Sequence, residues 1–233
     1  MNEDILVFDH VSYSYQDGNS SVTILQDASC KFQLGKTYAI VGASGSGKTT
    51  TLVLASGLDK PKKGHILYKN QDLQKIGLNQ YRRQDVSIVF QSYNLIHYLN
   101  AYQNVKNAVN IAKMKIKNKK DYIFTILENL GLTKDECCRD IRKLSRGQQQ
   151  RVAIARAMAK NVDLILCDEP TGNLDEKTSD SIIQTFIDLA HQKNKCIIVV
   201  THSKQFADKM DVQLKIKEGK LVEINGNKTE AQH

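Results

Sequence analysis

Three short apolar runs constrain the fold of this 233-residue chain more than any other feature. They cover residues 38–41, 164–167 and 196–200, and no polar side chain interrupts them. Strands that are covered on both faces of a parallel sheet have this pattern, because neither face is exposed to water. Helical patterns separate the runs, and residues 85–90 add a fourth candidate strand with alternating Val, Ile and Phe. The sequence therefore predicts an α/β fold with a mainly parallel sheet.

Polar residues follow each of these candidate strands. The first leads into a glycine-rich segment at 42–49, and the fourth is followed by Gln91. Asp168 and Glu169 follow the second run, and Thr201 and His202 follow the third. Ligands of open α/β sheets bind beyond the carboxyl ends of the strands. We therefore expect these polar residues to meet in one crevice.

The glycine-rich segment 42–49 reads Gly-Ala-Ser-Gly-Ser-Gly-Lys-Thr and matches the pattern G-x-x-x-x-G-K-[ST]. Its glycines let backbone N–H groups turn toward phosphate oxygens, and the following helix points its positive end at the same anion. Lys48 offers an ammonium to the outer phosphates, and Thr49 offers a hydroxyl to Mg²⁺. A flexible Gly/Ser loop that matches by chance is the alternative, which the preceding strand and following helical pattern disfavour. The predicted nucleotide-binding residues here are Gly42, Ser44, Gly45, Ser46, Gly47, Lys48, Thr49 and Thr50.

Asp168 and Glu169 are the candidate carboxylates of this site. Asp168 directly follows an apolar strand, which suits the carboxylate that holds Mg²⁺ through its water shell. Period-two alternation predicts that Glu169 points to the other side, as a base for an attacking water. A solvated acidic turn before Pro170 is the alternative, but the phosphate-loop pattern favours the catalytic interpretation. His202 and Gln91 are weak signals when each is taken alone.

Two further segments have patterns of their own. Residues 5–8, 11–15 and 22–25 predict strands of a small antiparallel β subdomain, with a turn at 17–19. Between Gln91 and Ser145 the pattern is helical, which predicts an inserted helical subdomain. The apolar face of that subdomain carries Ile123, Ile126, Leu127 and Leu130.

These segments predict one domain over residues 1–225. Its expected parts are β elements in 1–34, a nucleotide-binding core in 35–91 and 146–225, and the helical subdomain in 92–145, followed by a polar tail at 226–233.

The net charge of +8 raises the question of a nucleic-acid partner. Much of the excess lies in a lysine run from Lys113 to Lys120, which lacks the interleaved aromatic residues of a base-stacking platform. A solvated helix end or loop is the favoured interpretation, and a basic surface near an anionic membrane is a lesser alternative. No apolar stretch is long enough to cross a bilayer, and the acidic N-terminus is unlike a signal peptide. We expect a cytosolic chain.

The order of the motifs resembles that of the ABC ATPases from about Ile5 to Val222. Residues 144–151, Leu-Ser-Arg-Gly-Gln-Gln-Gln-Arg, resemble the family's signature sequence, which is usually Leu-Ser-Gly-Gly-Gln. Residues 168–175 resemble its Walker B motif and D-loop. Gln91 is similar to the Q-loop glutamine, and His202 to the switch histidine. Tyr15 stands where the family has its adenine-stacking aromatic residue, with Tyr13 as the less favoured alternative.

Finer features point to one branch of that family. The triple glutamine at 148–150 and the sequence Thr-Gly-Asn-Leu-Asp at 171–175 resemble the branch that contains MacB, LolD and FtsE. Residues 89–100 and 201–204 are most similar to Gram-positive peptide-exporter ATPases of the Vex type.

The resemblance implies a P-loop NTPase fold with a RecA-like, mainly parallel sheet, and an ATPase that uses ATP and Mg²⁺. The implied catalytic residues are Glu169, His202 and Lys48, and the implied Mg²⁺ ligands are Thr49, Gln91 and Asp168. Tyr15 and Gln91 join the nucleotide-binding residues, and a second subunit supplies Ser145, Gly147 and Gln148 in trans. The implied D-loop residues at the dimer interface are Asn173, Leu174 and Asp175.

The implied partners are a second copy of the ATPase, paired on ATP, and an integral membrane permease, with no nucleic acid. The expected location is the cytoplasmic side of the cell membrane, held there through the permease. Export of peptides, antimicrobials or lipids is the leading expectation, and FtsE-like regulation of cell-wall hydrolases without transport is the alternative. A soluble P-loop kinase would not explain residues 144–148, and a DNA-repair ATPase would carry a long heptad insertion or zinc cysteines.

One residue departs from the family pattern. Arg146 replaces the first glycine of the signature, while Ser145 and Gly147 are intact. A cation in the first turn of a helix opposes the helix dipole by about 0.3–1 kcal/mol. Beside a triphosphate, the same charge would favour binding. We therefore expect Arg146 to alter ATP affinity or rate without disabling the site.

Overall fold

Two β-sheets and a set of helices make up the computed structural model, which describes residues 3–18, 20–172 and 174–224. The larger sheet has the strand order β10-β9-β3-β8-β7-β6. Its strands are β3 (Thr37–Val41), β6 (Val86–Val89), β7 (Leu164–Asp168), β8 (Cys196–Val200), β9 (Val212–Lys217) and β10 (Lys220–Glu223). All neighbours in this sheet run parallel except β10, which pairs antiparallel with β9. The predicted α/β fold with a mainly parallel sheet is confirmed.

The uninterrupted apolar runs are explained by two cores, one on each face of this sheet. Successive residues of β7 enter them alternately: Ile165 and Cys167 face one core, and Leu164 and Leu166 face the other. Every residue of β8 is buried. The fourth predicted strand, at 85–90, is shorter in the structure (Val86–Val89).

The smaller sheet is antiparallel and has the order β2-β1-β4-β5. Its strands are β1 (Asp4–Asp17), β2 (Ser20–Gln33), β4 (Lys63–Tyr68) and β5 (Gln71–Asp72). The two strands predicted at 5–8 and 11–15 form one continuous strand, β1. The sequence pattern divides this strand in two because a register shift between Phe8 and Val11 breaks the alternation of its side chains. The sheet also takes in β4 and β5, which lie within residues that the sequence suggested for the nucleotide-binding core.

The helices are α1 (Lys48–Ala55), α2 (Leu73–Ile76), α3 (Leu78–Gln84), α4 (Ala101–Ile111), α5 (Lys119–Asn129), α6 (Lys134–Cys138), α7 (Arg146–Met158), α8 (Glu176–His191) and α9 (Lys204–Asp208), with a 3₁₀ turn at Ile141–Lys143. Helices α4 to α6 lie in the inserted segment 92–145, where Ile123 and Leu127 are fully buried. Helix α7 ends at Met158, with Ala159 as its C-cap. Helix α1 packs in the core between the two sheets through Leu52 and Leu54, and this packing fixes the loop that precedes it.

Candidate functional site

The glycine-rich loop 42–47 connects β3 to α1. Gly45 and Gly47 have φ angles of 77° and 99°, which side chains disfavour. A Cβ on Gly47 would also lie 2.6 Å from Cγ2 of Ile24, so a larger residue would clash. The N-cap residue of α1 is Gly47, which has no side chain with which to cap the helix. The backbone N–H groups at such a helix start favour an anion.

Two polar side chains line the inside of this loop. The Lys48 ammonium donates hydrogen bonds to the backbone oxygens of Gly42, at 2.8 Å, and Ala43, at 2.7 Å. The Ser46 hydroxyl is buried and has no hydrogen-bond partner among the described residues. Ser46 is the one predicted loop residue that does not line the cavity above the loop, so in this conformation its hydroxyl is out of reach of a bound anion.

A cavity of about 460 Å³ opens above the loop. Its volume falls in the usual range for small-molecule sites. It is lined by Tyr15, Ile24, Gly42, Ser44, Gly45, Gly47, Lys48, Thr49, Thr50, Gln91, Asp168, Glu169 and His202. The polar residues that follow four separate strands thus meet in one place.

Tyr15 and Ile24 form the aromatic and aliphatic part of the cavity wall, and both come from the antiparallel sheet. Tyr15 is 44% exposed, and its hydroxyl lies 3.2 Å from Oγ1 of Thr50. Tyr13 is buried, and its hydroxyl donates to Asp59 at 2.5 Å. Of the two tyrosines, only Tyr15 offers a ring to a bound molecule.

Asp168 is the last residue of β7, and Glu169 follows with a φ of 45°. Burial raises the pKa of the Asp168 carboxyl and the charge of Glu169 adds to the rise, while the Lys48 ammonium opposes it. Both carboxylates line the same cavity. The left-handed backbone at Glu169 ends the strand, so regular strand alternation does not extend to this residue.

Three polar groups contact the Glu169 carboxylate. The Thr201 hydroxyl donates to Oε2 at 3.1 Å, and the backbone N–H of His202 donates to Oε1 at 3.0 Å. The His202 ring lies close as well, with Nδ1 2.7 Å from Oε1. Thr201 is fully buried, whereas the His202 side chain is 69% exposed. The carboxylate is therefore held in one orientation with an exposed imidazole beside it.

Thr49, Gln91 and Asp168 bring a hydroxyl, an amide oxygen and a carboxylate to the cavity. All three are oxygen donors, and Mg²⁺ in nucleotide sites takes one or two carboxylates together with phosphate oxygens and water. The residues present therefore fit this ion.

The start of α7 carries Ser145, Gly147 and Gln148, which do not line the cavity. Ser145 and Gln148 form a capping box: Oγ of Ser145 accepts from the backbone N–H of Gln148 at 3.2 Å, and Oε1 of Gln148 accepts from that of Ser145 at 2.8 Å. The amide of Gln148 also donates to Glu136 at 2.6 Å. Ser145 and Arg146 are exposed, so this helix end faces outward from the chain.

The segment that follows Glu169 packs against this helix end. Cδ2 of Leu174 lies 3.7 Å from the position of a Cβ on Gly147. Asp175 caps α8, because its carboxylate accepts from the backbone N–H of Thr178 at 2.9 Å, and the Thr178 contact lowers its pKa. Asn173, the third predicted D-loop residue, lies outside the described residues.

Sequence reasoning missed three residues of this region. Thr201 was noted only as a polar residue after a strand, although its hydroxyl holds Glu169. Ile24 carries no motif, and its place in the wall depends on how the two sheets meet. Gln150 is 1% exposed, and its amide donates to the backbone oxygen of Pro170 at 2.7 Å, which ties α7 to the turn after Glu169.

Comparison with known proteins gives consistent matches along the chain. The sequence model of the ABC transporter family matches residues 25–172. The ABC transporter ATP-binding protein YclH of Bacillus subtilis (strain 168) is 49% identical, over 92% of this chain and 94% of that protein. LolD of Legionella pneumophila (strain Lens), the ATP-binding protein of a lipoprotein-releasing system, is 38% identical, over 95% of this chain and 98% of its own length.

Two dimeric structures of the bacterial ABC transporter cassette MJ0796 have the same fold. One is 32% identical with a TM-score of 0.86, over 93% of this chain and 96% of that chain. The other is a post-hydrolysis state bound to ADP and Pi, 31% identical with a TM-score of 0.89, over 97% of this chain and 100% of that chain.

Proposed function

The chain belongs to the ABC transporter family and is an ATPase, and from this premise we propose that it pairs with a second copy on bound ATP and drives a separate membrane permease. One observation carries the proposal. The exposed start of α7, which carries Ser145 and Gly147, does not line the cavity that contains Lys48 and Glu169. Two copies that face each other would bring the helix end of one to the cavity of the other.

Within one chain, the cavity supplies the binding half of the site. The loop N–H groups and the start of α1 hold the phosphates, and Lys48 moves from the carbonyls of Gly42 and Ala43 to the outer phosphate oxygens. Tyr15 stacks on the adenine. Thr49, Gln91 and Asp168 hold Mg²⁺, which neutralises charge on the terminal phosphates when it is bound.

Glu169 acts on the attacking water. Its carboxylate is oriented by Thr201 and by the backbone of His202, so it can accept a hydrogen bond from a water that approaches the terminal phosphate. His202 is largely exposed beside it and can donate to the same phosphate as charge develops there.

The partner's α7 completes the site. Oγ of Ser145 accepts from Gln148 in the capping box, and its own proton is free to reach a phosphate oxygen. A Cβ on Gly147 would meet Leu174 and Thr178 at 3.7 and 3.8 Å, which are ordinary contacts. No contact among the described residues therefore demands a glycine in this helix, and close approach of a phosphate from outside would explain it.

The substitution Glu169→Gln tests the pairing. The amide cannot take up the proton of water, so hydrolysis should stop and the ATP-bound pair should accumulate, as measured by sedimentation with and without ATP. The double variant with Lys48→Ala is the control, which should stay monomeric because the loop no longer binds ATP. A Glu169→Gln variant that stays monomeric at saturating ATP would contradict the proposed pairing on ATP.

A groove beside the edge strand β6 is the proposed contact with the permease. It encloses about 260 Å³ between the parallel sheet and α4, and its lining includes Phe90, Ala108, Arg156 and Lys160. The two cations donate to backbone oxygens, Arg156 to Tyr93 and Lys160 to Arg82. Burial lowers the pKa of both, that of Lys160 to about 8. A permease segment that brings carboxylates to this groove would find partly desolvated positive charge.

The groove can be filled without touching the nucleotide cavity. Ala108→Tyr should abolish co-purification with the permease and stimulation of the ATPase by it, while ATP-dependent pairing remains. Asn110→Tyr places the same ring on an exposed position of α4 outside the groove and is the control. Equal permease binding by both variants would rule the groove out.

No helix in the described ranges is long and apolar enough to cross a membrane, and we place the chain on the cytoplasmic side, held through the permease. We propose an exporter of peptides, antimicrobials or lipids, and the similarity to LolD supports a lipid-linked cargo. Reconstitution with the permease, followed by ATP-dependent loss of cargo from the membrane, tests the direction of transport.

A further inference from the structure

The turn between α4 and α5 carries the densest positive charge of the chain. Lys113, Lys115, Lys117, Lys119 and Lys120 fall within eight residues, which we call the lysine turn (113–120). No aspartate or glutamate occurs from residue 86 through residue 120. The sequence around the turn therefore offers these charges no local compensation.

The structure fixes the lysine turn and points its charges outward. Met114 and Ile116 pack against the core that includes the helical subdomain, whereas Lys113, Lys115 and Lys117 are exposed between them. This alternation presents three ammonium groups on one side of an anchored segment. A solvated, structureless lysine run would need no such apolar anchors.

Few side chains satisfy these ammonium groups. Within the described parts of the chain, no lysine of the turn forms an ion pair with a carboxylate. Lys119 donates to the Asn110 side chain at 2.8 Å. Ile111, the last residue of α4, adjoins the turn and is 56% exposed. Cations beside an exposed aliphatic side chain are the combination found where proteins touch the headgroups of a membrane.

We propose that the lysine turn binds the surface of an anionic bilayer beside the permease. The inference rests partly on the proposed function, since docking on a permease brings the chain to the membrane. Ala108, which lines the permease groove, precedes Lys113 by only five residues, so the lysine turn follows directly after the part of α4 that borders the groove. The turn contains no aromatic residue on which a base could stack, which disfavours nucleic acid.

The test is vesicle sedimentation of the whole chain without a permease. Phosphatidylcholine vesicles with phosphatidylglycerol should bind the wild type, pure phosphatidylcholine vesicles should not, and raised salt should release it. Each lysine contributes roughly fivefold to such binding, so the variant Lys113→Gln/Lys115→Gln/Lys117→Gln should bind roughly a hundredfold more weakly. Its ATPase activity should equal that of the wild type, because the turn lies outside the nucleotide cavity.

The matched control removes three lysines from the β9–β10 hairpin, as Lys215→Gln/Lys217→Gln/Lys220→Gln. These positions are also exposed, but Glu218 lies between Lys217 and Lys220 and Glu223 follows in the same hairpin, so this variant should keep nearly all vesicle binding. Equal losses in the two triple variants, or equal binding to neutral vesicles, would overturn the proposal. Tighter binding of duplex DNA than of anionic vesicles at the same salt would overturn it in favour of nucleic acid. If vesicle binding fails while ATPase activity and ATP-dependent pairing are intact, the lysine-turn proposal is wrong and the proposed function still holds.

Discussion

At the scale of single residues, the catalytic region depends on a backbone conformation that is uncommon outside glycine. Glu169 has a φ of 45°, which costs about 1 kcal/mol or more for a residue with a side chain. The surrounding contacts hold it: the Glu169 N–H donates to the backbone oxygen of Val200 at 2.9 Å, and Thr201 and His202 donate to its side chain. This turn brings the carboxylate back over the cavity that Asp168 also lines.

Arg146 is the residue whose effect is hardest to infer from family resemblance. It is exposed in the first turn of α7, so its charge opposes the helix dipole, and in the proposed pair it would lie beside the partner's triphosphate. We expect Arg146→Gly to raise the ATP concentration for half-maximal hydrolysis about three- to tenfold, through loss of a charge-assisted contact. Steady-state ATPase assays measure it, with Arg146→Lys as the charge-keeping control. Complete loss of hydrolysis in Arg146→Gly would show that the arginine is essential and contradict this expectation.

At the scale of elements, α7 contributes both to the stability of the fold and to the proposed site of the partner, and these two roles favour different residues. Its N-terminus is capped by Ser145 and Gln148, and farther along Gln150 ties it to Pro170. The helix nevertheless carries Gly147 in its first turn, where glycine disfavours helix formation.

Gly147→Ala separates these roles. Because its Cβ would meet only ordinary contacts, we expect the free energy of unfolding to stay the same or rise, by up to about 1 kcal/mol. ATP hydrolysis should fall strongly, since the methyl group would stand between the helix end and the partner's phosphate. Urea unfolding and ATPase assays measure the two effects. Gln149→Ala, two residues farther along α7, is the control for an alanine in this helix, and it loses only the side-chain hydrogen bond to the backbone oxygen of Leu144. A destabilised Gly147→Ala protein would show that the glycine serves the fold.

The sequence predicted the central elements well, because β3, β7 and β8 are buried on both faces and are therefore apolar throughout. It also predicted that their polar successors meet, since parallel strands end at one edge of a sheet. The hairpin β9–β10 was not predicted, because lysines alternate through it and it lies at the edge of the sheet. Ile24 and Thr201 were missed at the site for a different reason: neither has distinctive chemistry, and only tertiary packing brings them to the cavity.

At the scale of the whole molecule, the buried ammonium of Lys160 makes the free energy of unfolding depend on pH. This lysine lies in the groove between the parallel sheet and the helical subdomain. Lys160 has a pKa of about 8 in the folded chain, because burial opposes its charged form, against about 10.4 when unfolded. Between these values the unfolded state binds more protons, so stability rises with pH.

We expect this lysine to add about 2 kcal/mol to the free energy of unfolding between pH 7.5 and pH 9.5. Urea unfolding of the wild type and of Lys160→Met at both pH values measures it, because the difference between their slopes isolates this group. Replacement of the exposed Lys193 by Met is the control, which should leave the slope unchanged. Parallel slopes for the wild type and Lys160→Met would contradict the shifted pKa.

Because the cavity and the exposed end of α7 belong to different faces of one chain, defects in them should complement each other. A pool of Lys48→Ala chains is inactive on its own, and so is a pool of Ser145→Ala chains. When the two pools are mixed, every pair that contains one chain of each variant would rebuild one intact site beside one doubly broken site. Such a mixed pair should turn over ATP at roughly half the rate of a wild-type pair if the two sites fire independently. A rate far below that level would mean that neither site turns over unless its neighbour does.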